Sequence, residues 1–546
     1  MLTTNQNLNH ILLIAIAVVV NCTGFFVTIP GPDGTLYAAI AKHMVIHSNY
    51  LELYAEGSDW LDKPHFPFWI TAFFFKLFGI SSFTYKLPGV LFVLLGAVYT
   101  YLLASRLYNQ KVATWSVIIL LTAEHLIISN NDVRAEPYLV GLIIASVYHF
   151  YIAYKDNKSL HLLPASLFAA CAIMTKGLFA LFPIYGALFG HLLITKDFKA
   201  LFQLRWLVSF LLVFIFITPE LYALWYQFDN HPEKVVFGRT NVSGLRFFFW
   251  DSQFGRFFNT GPIKGKGDPF FFLHTTLWAF LPWSILLYAA IFRGFRRFRN
   301  LRYHKEWFSF SGALITFLLF SFSGFQLPHY INILFPFFAI ITADFLFSIH
   351  RSRQKFIKIT QHILVILCLI VPVVLEILYQ PEISMVKYIP VIMVTLITIY
   401  ALFNKYGDWK EKVISRSALG ILTLNLYMNT ILNPDMMKYQ SGSEAAEYIN
   451  RNLPGVPVVQ VKGRYDNALE FYSNNEMIVL DSLAQLNVLS QRPVLFLKDV
   501  KDTTKLPASD SITIFSHFHI TRLTGKFINH STREEEISTK ELRRLN

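Results

Sequence analysis

Charge is what this sequence has little of. Asp, Glu, Lys and Arg make up 15% of its 546 residues, against roughly 25% in ordinary soluble domains. A soluble globule could not hide the surface of a chain that is 54% hydrophobic and holds 53 phenylalanines. A soluble class is therefore excluded, and an integral membrane protein is expected. Cysteine is scarcer still. Cys22, Cys171 and Cys368 each fall inside an apolar run, so they build no disulfide framework and no metal spacing and read as small buried hydrophobes. Internal repeats and low-complexity tracts are absent, and the C-terminal stretch from about Asn433 shows no Gly-rich phosphate loop and no metal cluster. No Lys or Arg precedes Ile11 and no small-residue cleavage site follows it, so Ile11–Ile29 is expected to be a retained first span. The net charge of +13 could suit nucleic acid. Its Lys and Arg cluster in short runs between apolar stretches instead, which is how membrane topology is set. No nucleic-acid partner is expected.

What is present is a series of long apolar stretches. About 20 apolar residues cross a bilayer. By that measure spans fall at 10–29, 86–105, 113–129, 137–154, 160–175, 178–195, 205–226, 271–292, 307–323, 329–349, 358–379, 386–404 and 413–432, about thirteen in all. The basic residues occupy alternate loops: Arg106 and Lys111; Lys155 and Lys158; Lys196, Lys199 and Arg205; Arg293, Arg296, Arg297, Arg299, Arg302 and Lys305; Arg351, Arg353, Lys355 and Lys358; Lys405, Lys410, Lys412 and Arg416. The positive-inside rule then places the N-terminus in the cytoplasm. Gly31–Tyr85, Asn130–Glu136, Gln227–Pro269, Gly324–Pro328 and the C-terminus lie together outside.

Two domains are expected: a transmembrane domain over 1–432, with outer loops 31–85, 130–136 and 227–270 carrying the chemistry, and a small extracytoplasmic α/β domain over 433–546. In the second, Ser441 to Glu444 reads as a capping box opening a helix. VPVVQVK, EMIVL, RPVLFL and SITIF read as short strands, and NALEFY as a helix between two of them. The charged tail STREEEISTKELRRLN reads as a solvated helix or frayed end.

The polar segment Gly31–Trp69 stands out, because a loop that long in so apolar a chain is usually functional. It offers Asp33, Asp62 and Lys63. The other outer segments offer Asp132, Arg134 and Glu136; Arg256 and His274; and Gln326, His329 and Tyr330, with Lys176 at a turn between two spans. Singly, each has a plain reading: Asp33 as a turn residue in Gly-Pro-Asp-Gly, Arg134 with Glu136 as a structural ion pair, Lys176 as a snorkelling lysine, Tyr330 as part of an aromatic belt, His274 as a lone histidine. Together, at one membrane interface, they default to function. A carboxylate can take a proton from an acceptor hydroxyl or hold a cation. Lys63, Arg134, Lys176 and Arg256 can neutralise a departing phosphate, and the Tyr330 hydroxyl can donate to it. The chemistry that fits is transfer from a lipid-bound phosphate. The competing class, a polytopic transporter or lipid flippase, should place its ionisable or broken segments near the midplane in two related halves.

At these residues the sequence resembles membrane glycosyltransferases of the C superfamily, in the branch of bacterial aminoarabinose transferases and protein mannosyltransferase-like enzymes. The resemblance rests on Asp33, Tyr37-Ala38 to Met44, Asp62-Lys63-Pro64 to Trp69, Phe78-Gly79, Lys86-Leu87-Pro88, Arg134 to Pro137, Thr175-Lys176-Gly177, Pro282-Trp283 and Ser323 to Tyr330. It implies a multi-pass protein of the bacterial inner membrane with about thirteen helices. The implied donor is a polyprenyl-phosphate-linked sugar, hexose or pentose. The implied acceptor is a lipid, glycan or protein, with inversion at the anomeric centre. Asp33 would be the leading catalytic carboxylate and Glu136 the second. Lys63, Tyr330, Lys176, Arg134 and Arg256 would surround the donor phosphate. A divalent metal ion is the one cofactor the resemblance leaves open, with Asp62 and His274 as candidate ligands. The chain departs from the family pattern where Asp62 replaces Glu, Glu136 replaces Asp, Gln326 replaces Lys and His65-Phe66 replaces Pro-Leu.

Overall fold

The computed structural model describes residues 4–298, 306–350, 354–503 and 506–546. The basic residues Arg299, Arg302, Lys305, Arg351 and Arg353 lie outside them. Among the described residues, eight helices are long and apolar enough to cross a membrane, or nine if a bent pair is counted as one span. The chain is thus a polytopic helical membrane protein. Shorter apolar helices occur at Leu8–Cys22, Phe66–Phe78 and Phe308–Ser321.

The bundle centres on Ser82–Leu107 against Glu136–Lys155. Ser81 starts the first of these with a capping box to Thr84. The two helices touch at glycines. A Cβ on Gly141 would lie 2.3 Å from the Phe92 carbonyl oxygen, and one on Gly96 would lie 2.9 Å from Val140. Small residues at such crossings let backbones approach, which is how packing is gained where lipid is as apolar as the protein.

The expected span 113–129 is broken. Gln110–Leu121 and Glu124–Asn131 meet at 50°. The bent segment is held by buried polar pairs to other helices: Asn130 donates to Asn21 at 2.7 Å, Asn131 to Asn429 at 2.8 Å, and Asn425 to Glu124 at 2.6 Å. Such bonds are worth about 0.6 kcal/mol each between membrane helices. They satisfy groups that hydrocarbon could not, and the bend delivers residues 132–136 to one end of the bundle. The expected span 271–292 is also divided, into Phe271–Ala279 and Ser284–Phe298. The run 160–195 parts at Gly177, whose φ of +96° suits glycine and where a Cβ would lie 2.0 Å from Gln253 Nε2.

The long polar segment is not irregular. It folds as helix Pro32–Ile46, a two-stranded hairpin (Tyr54–Ala55 with Ser58–Asp59) and helix Phe66–Phe78. Ile40, Met44, Leu53, Ala55, Phe68 and Ala72 close a small core of its own. The helical run from Trp409 continues through Tyr439, so no loop separates the two expected domains at 432. Beyond it, five strands form one mixed sheet in the order 477–480, 458–461, 494–499, 538–545, 509–517; the first three are parallel and the last two antiparallel. Helix Asn467–Tyr472 is where the sequence placed it, capped by Asp466.

Two elements of the C-terminal part differ from the sequence expectation. Helix Ser441–Asn452 has Gln440 at its cap and no side-chain capping bond, because the Ser441 hydroxyl is taken by His517 Nδ1 at 2.8 Å. The charged tail is not a solvated helix but a single 3₁₀ turn, Arg533–Glu535, followed by a strand. Ser538–Leu545 pairs with strands on both sides. Leu542 and Leu545 are buried, and its charges find partners, Lys540 with Asp466 and Arg543 with Glu541. Pairing with the two neighbouring strands, not charge, decided the element.

Candidate active site

Three groups of charged side chains meet at the end of the bundle where helices Pro32–Ile46, Glu136–Lys155 and the 3₁₀ turn Pro328–Leu334 begin and where helix Leu162–Lys176 ends. Asp33 belongs to the first. It lies in the opening turn of its helix just after Pro32, a residue suited to that turn, and the helix N-terminus favours its negative charge. Arg134 Nη1 donates to Asp33 Oδ2 at 2.7 Å, while Nε and Nη2 donate to Asp132 Oδ2 at 3.1 and 2.8 Å. Burial alone would lower the Arg134 pKa, but Asp132 and Asp33 together hold it above the ordinary arginine value. The Asp132 carboxylate fits because residues 31 and 34 are glycines. A Cβ on either would lie within 2.5 Å of Asp132 Oδ1. Arg134 thus orients two carboxylates, and it is not among the residues lining the cavity described below. The Asp33 side chain stays half exposed, at 49%.

The second group is Asp62, Lys63 and Arg256. Both cations bond the Asp62 carboxylate. Burial pushes the Asp62 carboxyl up, and Lys63 and Arg256 more than offset it, so the net shift is downward. Burial pulls the Lys63 ammonium below the ordinary lysine value, against Asp62 and Asp33, which favour its charge. The backbone carrying this group is anchored by His65. Its N–H donates to Glu220 Oε2 at 2.9 Å and its Nδ1 lies 3.0 Å from Glu220 Oε1, with both side chains fully buried. The departure at His65 is therefore a buried lock to a neighbouring helix.

The third group is Glu136, Lys176, His329 and Tyr330. Lys176 bonds Glu136 and lies 3.5 Å from the centroid of the Tyr330 ring. His329 Nε2 is 3.8 Å from the same Glu136 oxygen. Glu136 is buried behind Lys176 and does not line the cavity.

A cavity opens beside these groups. Lys63, Lys176, Arg256 and Tyr330 line it together with Phe179, Phe247, Phe248, Phe257, Phe320 and Phe325. Asp62 lines it too, bonded to Lys63 and Arg256, so that part of the wall holds three cations and one carboxylate, and much of the rest is aromatic. Of the residues expected at a phosphate, the structure brings four to one cavity and sends Arg134 to the carboxylates.

One residue entered the sequence reading only as part of the resemblance and was given no role at the site. Tyr37 stands one helical turn after Asp33, its ring edge-on to Trp60 and Phe68. Burial, then the charges of Asp62, Asp33 and Glu136, raise its pKa well above the ordinary phenol value. The signal was the i, i+4 spacing from Asp33.

A metal does not fit the donor set. The Asp62 carboxylate faces two cations, and His274 is exposed on helix Phe271–Ala279 with its ring against Phe271. Among the described residues no three His, Cys, Asp or Glu side chains are grouped to hold an ion. Gln326, where the family has lysine, ties loops together: its Oε1 accepts from the Asp268 N–H at 2.8 Å and its Nε2 donates to the Phe320 and Ser321 carbonyls at 3.0 Å.

A family model described as dolichyl-phosphate-mannose-protein mannosyltransferase matches residues 62–223. A protein of Aquifex aeolicus is 24% identical over 82% of this chain and 83% of its own length. The undecaprenyl phosphate-α-4-amino-4-deoxy-L-arabinose arabinosyl transferase of Erwinia tasmaniensis is 25% identical over 60% of this chain and 57% of its own; the match thus spans little more than half of that relative. The crystal structure of ArnT from Cupriavidus metallidurans bound to undecaprenyl phosphate superposes with a TM-score of 0.72 at 19% identity, covering 90% of this chain and 93% of that one. The chain shares that fold, and the resemblance to C-superfamily membrane glycosyltransferases of the aminoarabinose-transferase branch is borne out.

Proposed function

We propose that this chain transfers a sugar, hexose or pentose, from a polyprenyl-phosphate carrier to a lipid, glycan or protein acceptor at the outer face of a bacterial inner membrane. The observation that carries this reading is the cavity that joins three cations to an aromatic, lipid-compatible wall. Lys63, Lys176 and Arg256 hold the donor phosphate, with Tyr330 beside them, and the isoprenoid runs along the phenylalanines. Asp33 takes the proton of the acceptor hydroxyl. The acceptor oxygen bonds the anomeric carbon as the bond from that carbon to the phosphate oxygen breaks. The phosphate leaves with the electron pair, its charge met by the three cations. Attack opposite the leaving group inverts the centre. Arg134 aims Asp33 without quenching it, because its charge is shared with Asp132. Glu136 holds Lys176. Ionisable residues gathered at one end, not in two related halves, disfavour a transporter.

The test is donor binding and turnover by the purified protein in lipid nanodiscs. Lys63→Ala and Arg256→Ala should each weaken undecaprenyl phosphate binding by roughly tenfold to a hundredfold, the worth of a hydrogen bond to a charged group. Native mass spectrometry reads the affinity, and lipid and glycan mass spectrometry of cells with and without the protein reads the sugar and acceptor. Unchanged affinity in both variants rules the phosphate site out.

The proposal extends to topology. With Leu8–Cys22, the divided pair Phe271–Ala279 and Ser284–Phe298, Phe308–Ser321 and Trp409–Tyr427 added to the nine as crossings, and Phe66–Phe78 left outside, the number reaches thirteen, the N-terminus is cytoplasmic, and residues 433–546 form a domain outside. A phosphatase fused after Asn546 should be active and a fluorescent protein that folds only in the cytoplasm should be dark. The reverse pattern would exclude thirteen crossings from a cytoplasmic N-terminus.

A further inference from the structure

The C-terminal sheet does not merely sit on the bundle. Its short helix Asn467–Tyr472 grips the backbone that carries Asp33 at two points. Before Asp33, the Ile29 N–H donates to the Tyr472 hydroxyl oxygen at 2.8 Å, and that hydroxyl is 2.7 Å from Ser82 Oγ at the start of helix Ser82–Leu107. Gln440 Nε2 donates to the Ile29 carbonyl at 3.0 Å, so both polar groups of this peptide residue are taken by C-terminal side chains. After Asp33, Lys42 reaches from the same helix, about 13 Å further along its axis. Its Nζ donates to the carbonyls of Glu470, Phe471 and Ser473 at 2.8, 3.0 and 2.6 Å. A lysine there spends all three donors on carbonyls that the end of a short helix leaves without partners. Between the two grips, the buried Phe471 ring lies 6.1 Å from Phe75.

The gripping helix is itself fixed by the sheet. Asp466 accepts from the N–H groups of Ala468 and Leu469 at 3.1 and 3.2 Å, and Lys540, on the strand formed by the charged tail, bonds the other Asp466 oxygen at 3.0 Å. A continuous set of contacts therefore runs from the last strand through Asp466 and helix Asn467–Tyr472 to both flanks of Asp33. None of it touches Lys63, Lys176, Arg256 or Tyr330.

We infer that helix Asn467–Tyr472 positions the catalytic carboxylate, with Tyr472 and Lys42 as positioning residues that set turnover and not donor affinity. This rests on the proposed role of Asp33. A carboxylate displaced by a fraction of an ångström loses rate because the reacting atoms must approach within a narrow geometry, whereas phosphate binding uses other elements.

Full-length Tyr472→Phe, Lys42→Met and the double variant are to be compared in nanodiscs. Each single change should lower kcat on the order of tenfold and leave the donor KM within about twofold. Lys42→Arg, which keeps the charge and the donors, should recover most of the rate. Hydrogen exchange of peptides covering 29–46 should quicken in Tyr472→Phe and Lys42→Met while peptides from 136–155 keep their protection. An unchanged kcat in the double variant, a KM that rises in step with the fall in kcat, or exchange that quickens throughout the bundle would each overturn the inference. A wild-type protein that transfers no sugar would instead remove the proposed function. The exchange comparison then decides alone: faster exchange confined to 29–46 supports the clamp, and unchanged protection there overturns it.

Discussion

Asp33→Asn is expected to reduce kcat by about three orders of magnitude, within the range that a positioned general base supplies. The substitution keeps the size of the side chain and an oxygen that can still accept from Arg134 Nη1, 2.7 Å away in the native protein. It removes the group that can take the acceptor proton. Asp33 is half exposed and not among the residues lining the phosphate cavity, so binding of undecaprenyl phosphate should stay within about twofold. Thermal resistance in detergent should also be retained, because the lost charge lies at the surface, where an ion pair is worth about 1 kcal/mol or less. Single-turnover transfer at saturating donor measures the effect. Native turnover would remove Asp33 as the base, and a matching loss of donor affinity would move it into the phosphate site.

Most of the candidate site was legible in the sequence because charge in an apolar chain has few reasons to be there. Asp33, Asp62, Lys63, Arg134, Glu136, Lys176, Arg256 and Tyr330 all lie at one end of the bundle. What composition could not give was their pairing. Arg134 turned to the carboxylates, and Glu136 went behind Lys176. Those choices depend on Gly31 and Gly34 leaving room for Asp132 and on a 50° bend between Gln110–Leu121 and Glu124–Asn131, neither of which hydropathy can register. The tail strand Ser538–Leu545 was missed for a related reason. Its charges suggested solvent, while Leu542 and Leu545, three residues apart, face opposite sides of the sheet and leave no alternation to read, and the pairing comes from strands 494–499 and 509–517. The polar loop was read as a mouth, yet its own small core of Ile40, Met44, Phe68 and Ala72 was present in the helical spacing of those residues.

The buried pair Glu136–Lys176 gives the sharpest effect on stability. The Glu136 side chain is 2% exposed and that of Lys176 20%, so removing either partner alone strands a charge where water is scarce. Losses of that kind run to about 3–5 kcal/mol, whereas replacing both partners by neutral groups of similar shape is often close to neutral. Glu136→Gln and Lys176→Met are each expected to lower the temperature at which the detergent-solubilised protein loses its monodisperse elution peak. The double variant should recover most of that loss. Donor affinity should follow a different order. Glu136→Gln frees the Lys176 ammonium from the orientation it holds over Tyr330 and should weaken undecaprenyl phosphate binding by roughly tenfold, about half the worth in free energy of a strong charged contact. Lys176→Met removes a cation from the cavity wall and should weaken binding at least as much. The double variant should stay weak in binding while regaining stability. That divergence separates a residue that holds the phosphate from one that holds the holder. If the double variant bound donor like the native protein, Lys176 would have no part in the phosphate site, and Glu136 would be left with a purely structural role.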